Sequence, residues 1–122
     1  MILLDTNILI EILKGNRQTE QEVAGLRGPL SVSTVSVMEL MYGARDKGEV
    51  LRIQQFVQLF EQLPLSEAIS TAALRLVTDY AKSHGLDIPD ALIAATAIEH
   101  RASLLTYNLK DFRFIPGLAL VR

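Results

Sequence analysis

The sequence predicts an α/β fold, with a mostly parallel central sheet of about five short strands and helices on both faces. Three observations point there. Ile2, Leu3 and Leu4 form an uninterrupted apolar run, as a strand buried on both faces does. That run stops at Asp5, and an amphipathic stretch from Ile8 to Leu13 follows. Short apolar runs then alternate with helix-period segments, which implies right-handed crossovers between parallel strands. Finally, Ala91 to Ile98 is apolar nearly all round, so the helix it forms belongs at the centre.

Taken in order, strand one hands over at Asp5 to a helix from about Thr6 to Lys14, ended by Gly15-Asn16. A short helix over Thr19 to Leu26 is closed by Gly28-Pro29. Leu30 to Ser33 reads as strand two, and Thr34 to Ala44 as a helix carrying Val35, Met38, Met41 and Tyr42. Met38, Met41 and Tyr42 read as core or interface. Asp46 to Glu49 reads as a polar turn. Val50, Ile53, Phe56, Val57 and Phe60 make one helical face, broken by Pro64, with a short strand at Leu63 to Leu65. Ser66 caps a helix facing inward through Ile69, Ala73, Leu76 and Tyr80 and ending at Lys82, His84 and Gly85. Pro89 opens the apolar helix, from Asp90 to about His100. Ser103 to Leu105 is a strand, Asn108 to Phe112 a helical turn, Pro116-Gly117 a reverse turn, and Leu118 to Val121 a last strand.

Composition bounds the function. A chain of 122 residues suits one domain, and 49% hydrophobic residues suffice for a core. The absence of cysteine excludes disulfides, a thiol nucleophile and thiolate-bound zinc, and fits a cytoplasmic location. No apolar run approaches the ~20 residues of a membrane span. Asp5 and Glu11 interrupt the first apolar residues, which argues against a signal peptide. A net charge of −2 argues against the broad basic surface of a high-affinity nucleic-acid binder and leaves room for a local basic rim.

Four carboxylates stand out by context: Asp5, Glu39, Asp90 and Asp111. Each lies at or within a turn of an expected helix start. Asp5, Glu39 and Asp111 each follow a strand, so a parallel sheet gathers them along one edge. Asp90 follows no strand, and topology alone does not place it. Carboxylates sharing a pocket repel, and a divalent cation relieves that conflict. Oxygen ligands without histidine or cysteine suit Mg²⁺ or Mn²⁺, and such a centre suits phosphodiester hydrolysis. Each acid taken singly also fits a helix cap: Asp5 for the first helix, Ser36-x-x-Glu39 as a capping box, Asp90 as a first-turn acid, Asn108-x-x-Asp111 as another cap. Asp87 reads as a solvated turn or cap residue, His84 and His100 as surface histidines at helix ends, and Lys14, Arg17, Arg45, Lys47, Lys110 and Arg113 as solvated cations, an unspecified subset of which could rim the pocket.

Leu4-Asp5-Thr6-Asn7, Ser36-Val37-Met38-Glu39-Leu40, Ile88-Pro89-Asp90-Ala91-Leu92-Ile93-Ala94-Ala95-Thr96-Ala97 and Leu105-Thr106-Tyr107-Asn108-Leu109-Lys110-Asp111-Phe112 occur in that order. In these pieces, their spacing and the length, the chain resembles the PIN-domain family, and within it the VapC-type ribonuclease toxins of toxin–antitoxin modules. The resemblance implies a single PIN domain over residues 1–122 and an acidic quartet of Asp5, Glu39, Asp90 and Asp111 around Mg²⁺ or Mn²⁺. Asp5 and Asp90 are then the most direct ligands, with Thr6, Thr106 and Asn108 as supporting polar groups. It also implies an RNA substrate, with tRNA among the candidates, a VapB-like antitoxin and a homodimer.

Two other functions fit parts of the sequence. One is an aspartyl-phosphate phosphotransferase using Asp5, although Asn7 stands where that motif wants a second aspartate. The other is a non-catalytic module that docks a partner in an apolar groove, with the acids serving as caps.

Overall fold

The computed structural model describes residues 1–121. Ile2, Leu3 and Leu4 are all buried, and they form β1 (Ile2–Leu4) in the middle of the sheet. Two helices follow, α1 (Thr6–Leu13) and α2 (Arg17–Ala24), then β2 (Leu30–Ser33). After α3 (Thr34–Tyr42) and α4 (Lys47–Val57) the chain reaches β3 (Glu61–Leu63). The second half holds α5 (Glu67–His84), α6 (Ile88–Glu99), β4 (Ser103–Leu105), a 3₁₀ turn at Leu109–Asp111 and β5 (Ala119–Leu120). The strand order is β3-β2-β1-β4-β5 and every pairing is parallel, so the expected α/β class holds.

Alternation along β1 splits the core in two. Ile2 and Leu4 pack with Ile8, Leu9, Val32, Leu40, Ile53 and Leu105 beneath α1 to α4. Leu3 packs on the other face with Ile69, Ile93, Ala94 and Leu104 beneath α5 and α6. Burial of each such aliphatic side chain contributes roughly 1.5–3 kcal/mol. The apolar helix α6 is central as expected, with Ala91 and Ile93 through Ala97 buried.

Several boundaries differ from the sequence reading. The helix expected from Val50 begins at Lys47, because Asp46 is not part of a free turn but caps it, its Oδ1 accepting from the Glu49 N–H at 2.9 Å. The same helix ends at Val57, seven residues before Pro64. Phe60 still packs edge-on against Phe56, at 5.2 Å between rings, so its apolar contact persists outside the helix. The strand expected at Leu63 to Leu65 is instead Glu61–Leu63, at the edge of the sheet beside β2, where exposed polar residues are tolerated. Asn16 caps α2 through its side chain, which starts that helix at Arg17 and not Thr19. Helix α3 stops at Tyr42, with Gly43 as its cap. Met38 and Tyr42 are exposed, 52% and 95%, so neither belongs to the core.

Gly85 closes α5 in the left-handed region, φ 69°. That sharp exit lets α6 fold back along α5, with Asp87 capping α6 through its Oδ1 and the Asp90 N–H at 2.9 Å. This turn is what delivers Asp90 to the sheet edge.

Candidate active site

From β1 the chain crosses to β2 on one side and later to β4 on the other, so the order reverses between β1 and β4. Crevices at such a switch point are where open α/β sheets bind ligands. Asp5 sits there. Its backbone N–H donates to the Leu105 carbonyl at the end of β4 at 2.9 Å, continuing the β1–β4 ladder one residue past β1. This bond sets Asp5 beside Thr106.

Asp5 is 4% exposed and both its carboxylate oxygens are held. Oδ1 accepts from the Thr6 N–H at 2.8 Å, and Oδ2 accepts from Thr106 Oγ1 at 2.7 Å. The Thr106 hydroxyl accepts in turn from the Asn108 N–H at 3.0 Å and from Asn7 Nδ2 at 3.4 Å. The Asn7 side-chain Oδ1 accepts from the Tyr107 N–H at 3.3 Å, which ties α1 to the segment after β4.

A second chain of bonds runs from α1 to α3. Thr6 Oγ1 lies 2.7 Å from Glu39 Oε1 and 2.8 Å from Ser36 Oγ. A hydroxyl has one proton and a carboxylate only accepts. Thr6 therefore donates to Glu39, and the Ser36 hydroxyl donates to Thr6. Ser36 and Glu39 lie one turn apart inside α3, whose cap is Ser33, so they form no capping box. Asn108 likewise makes no side-chain cap bond to the 3₁₀ turn; its backbone N–H supports Thr106. The cap reading does hold for Asp5, which caps α1, and Asp90 is a first-turn acid of α6.

The four acids act on one another. Burial pushes the Asp5 carboxyl up; bonds from Thr106 and Thr6 oppose that, and the charges of Glu39 and Asp111 add to it. Asp90 is pushed up to about 7, first by burial, then by Asp87, Asp5, Asp111 and Glu39. Among the described residues, no basic side chain is among the causes of either shift; the described salt bridges are Lys14–Glu11 and Arg45–Glu49, and Lys14 and Arg45 line a hollow that Glu39 also lines. Four elements thus bring like charges together. Among the described residues, no three acidic or histidine side chains stand at metal-ligand separation as they lie.

Size does not mark this site. A hollow of about 1030 Å³ along α5, bounded by Glu67, Arg75 and Glu99, contains none of the four acids. Glu39 lines two smaller hollows and Asp111 a third, while Asp5 and Asp90 line none of these.

Sequence reasoning missed Ser36 and Asn7 as parts of the site, and Asp87 as a charge acting on Asp90. Ser36 was legible in principle, since a serine one turn before Glu39 shares its helix face.

Order of strands, crossovers and the acid-lined switch point define a PIN-type α/β protein. A family model described as PIN domain matches residues 2–117, and the chain belongs to that family. Within it, the chain groups with the VapC ribonucleases. Ribonuclease VapC1 of Rickettsia felis is 36% identical over 129 residues, covering 98% of this chain and 94% of the relative. A toxin-antitoxin complex from Klebsiella pneumoniae matches with TM-score 0.83 and 34% identity, covering 98% of this chain and 96% of that one. VapBC2 from Rickettsia felis, bound to a DNA fragment from its promoter, matches with TM-score 0.83 and 30% identity, covering 99% and 98%. No helix among the described residues is long and apolar enough to cross a membrane.

Proposed function

We propose that this chain is a ribonuclease toxin that needs a divalent cation, cuts RNA at the Asp5–Glu39–Asp90–Asp111 site, and is inhibited by a VapB-like antitoxin. One observation carries the reading: a buried aspartate at the switch point, fixed through both oxygens, on which the charges of neighbouring acids act. Carboxylates without a counter-ion repel and lie apart, and a doubly charged cation draws them together.

Asp5 and Asp90 would hold Mg²⁺ or Mn²⁺ directly, and Glu39 and Asp111 would complete the pocket through water or a second ion. The bound ion supplies an activated water and stabilises the charge developing on phosphorus. Thr106 locks Asp5 in one orientation, and Thr6, backed by Ser36, does the same for Glu39. Asn108 and Asn7 fix the Thr106 hydroxyl.

The similar solved structures, a toxin-antitoxin complex and a VapBC2 assembly on DNA, support an antitoxin partner. A homodimer is supported by an apolar surface between α3 and α6, where Met38, Tyr42, Leu65 and Ile88 are exposed. Residues 1–122 act as one PIN domain in the cytoplasm on this reading, with RNA, tRNA included, as substrate.

A nucleophilic role for Asp5 is less favoured, because both oxygens already accept hydrogen bonds in a buried setting. Asp5→Asn and Asp90→Asn, each checked for folding by circular dichroism, are to be assayed for Mn²⁺-dependent RNA cleavage. Loss of cleavage in both is expected; wild-type cleavage by either overturns the site. Calorimetric titration with Mn²⁺ separates the enzyme from a non-catalytic module, whose acids, acting as caps alone, give no saturable binding.

A further inference from the structure

Beyond the acidic centre, and on its rim, lies a pocket of different character. Ser83 and His84 at the end of α5 face Lys110, Asp111, Arg113 and Phe114 across a hollow of about 440 Å³. Asp111 is shared: it lines this hollow and its charge reaches Asp5 and Asp90. So the pocket abuts the site where the proposed cleavage occurs.

Three features make it unlike a random patch of surface. Lys110 and Arg113 are exposed and take part in neither of the described salt bridges, although Asp111 is close by in sequence. The His84 ring lies flat on Phe114, centroids 4.3 Å apart and planes 12° apart. Tyr80 braces both rings, edge-on to His84 at 5.6 Å and tilted to Phe114 at 5.3 Å, and Ser83 Oγ bonds His84 Nδ1 at 2.8 Å. An exposed imidazole is thereby held in one orientation at the mouth of a pocket with two cations that lie outside the described salt bridges. On a chain of net charge −2, cations concentrated beside an acidic centre mark the local basic rim that a polyanion needs.

We propose that Lys110, Arg113 and the His84–Phe114 stack form a subsite for the RNA nucleotide next to the one cleaved. Lys110 and Arg113 take its phosphate, and its base extends the stack on His84. Stacked aromatics plus backbone-tracking cations are the general means of holding single-stranded nucleic acid without reading its sequence. The subsite therefore accepts an unpaired nucleotide of any base. Asp111, as the one anion in the pocket, keeps phosphate toward the two cations and away from itself. This inference rests on the ribonuclease reading for what the neighbouring site does, but RNA binding here is measurable without cleavage.

The test uses the full chain carrying Asp5→Asn, so that RNA survives, in EDTA, with a short single-stranded RNA bearing a fluorescent purine analogue. Adding Lys110→Gln and Arg113→Gln is expected to weaken binding about tenfold. The slope of log affinity against log salt is expected to fall by about 0.7, the value for one phosphate no longer neutralised. His84→Ala is expected to relieve the quenching of the analogue, a signal that a merely structural role would not move. Lys47→Ala, which removes one positive charge at the start of α4, serves as the control and leaves binding unchanged. In the otherwise wild-type chain the paired glutamine substitutions raise KM for RNA with kcat little altered. If the wild-type chain cuts RNA while these variants bind and quench as their parent does, the subsite is wrong and the ribonuclease reading stands. If RNA binding depends on Lys110, Arg113 and His84 but the wild-type chain never cuts, the subsite stands and the ribonuclease reading falls.

Discussion

Thr106 donates its hydroxyl to Asp5 Oδ2 at 2.7 Å, across 101 positions of sequence, and both side chains are buried. The bond joins the ends of β1 and β4 at the point where the sheet reverses its order. It is the main interaction opposing the burial that pushes the Asp5 carboxyl up. Asp5 is thus kept ionisable in a setting that disfavours its charge.

Thr106→Val keeps the shape of the side chain and removes the donor. Asp5 Oδ2 is then buried without a partner, which costs about 1–3 kcal/mol of stability. The Asp5 carboxyl moves further up, so Mn²⁺ affinity falls by roughly 10–100-fold, the range for loss of a group that orients a ligand. Thr106→Ser restores the hydroxyl and most of the affinity. Calorimetric titration with Mn²⁺ and urea unfolding read both effects; an unchanged affinity in the valine variant would sever Thr106 from the site.

The metal-free protein loses stability as pH rises. Asp90 goes from an ordinary 3.8 to about 7 in the fold, so between those values the folded chain keeps a proton that the unfolded chain has released. Asp5, also raised, acts in the same direction. Glu11 and Glu49 are lowered and act oppositely, but their window lies below their ordinary 4.5. In EDTA, Tm is expected to fall from about pH 5 to pH 8, and Asp90→Asn to flatten that fall. Mn²⁺ at a hundred times its Kd restores about 2.7 kcal/mol at the alkaline end. A Tm profile in EDTA that is the same for wild type and Asp90→Asn removes the basis for this expectation.

Much of this was legible in the residues, and the gaps have physical causes. β1, β2 and β4 were readable because buried parallel strands are short apolar runs, and Asp5 because it ends one abruptly. β3 was read two residues late, at Leu63 to Leu65, since an edge strand needs only one buried side chain, Leu63, and so carries little pattern to fix its bounds. The start of α4 was hidden because Lys47-Gly48-Glu49 is polar and contains a poor helix former, while the signal lay in the Asp46 cap. The gathering of Asp5, Glu39 and Asp111 followed from parallel topology. Asp90 did not, because the tight return at Gly85, and not a strand, brings α6 to the edge. The Ser36–Thr6–Glu39 relay was beyond reach, since it joins α1 and α3 through side chains 30 and 33 positions apart.

That relay makes a graded prediction. Thr6→Val removes the only side-chain donor holding Glu39 among the described bonds, whereas Ser36→Ala removes only the donor behind Thr6. Glu39 is exposed, so it regains rotamer freedom once released. Cleavage is expected to fall by about 10-fold or more in Thr6→Val, through kcat, and by less in Ser36→Ala. Ser36 is fully buried, so its loss costs about 1 kcal/mol of stability as well. Steady-state kinetics on RNA and thermal unfolding separate the two; a larger kcat loss in Ser36→Ala reverses the proposed order of the relay.

Asp87 does two things at once, and two substitutions pull them apart. Its side chain caps α6 by accepting from the Asp90 N–H, and its charge is the largest cause after burial of Asp90's upward shift. Asparagine caps about as well as aspartate, so Asp87→Asn loses only the favourable interaction of its charge with the helix dipole, about 0.3–1 kcal/mol. Release of repulsion on an ionised Asp90 offsets that loss above pH 7. Asp87→Ala loses the cap too, about 1 kcal/mol. Near pH 8 in EDTA, Asp87→Asn is therefore expected to match wild type in stability and Asp87→Ala to fall below it. Both lower the Asp90 midpoint, which carboxyl-carbon NMR titration reads directly. A midpoint that stays near 7 in both variants means that burial at the sheet edge, and not the neighbouring charge, sets Asp90 alone.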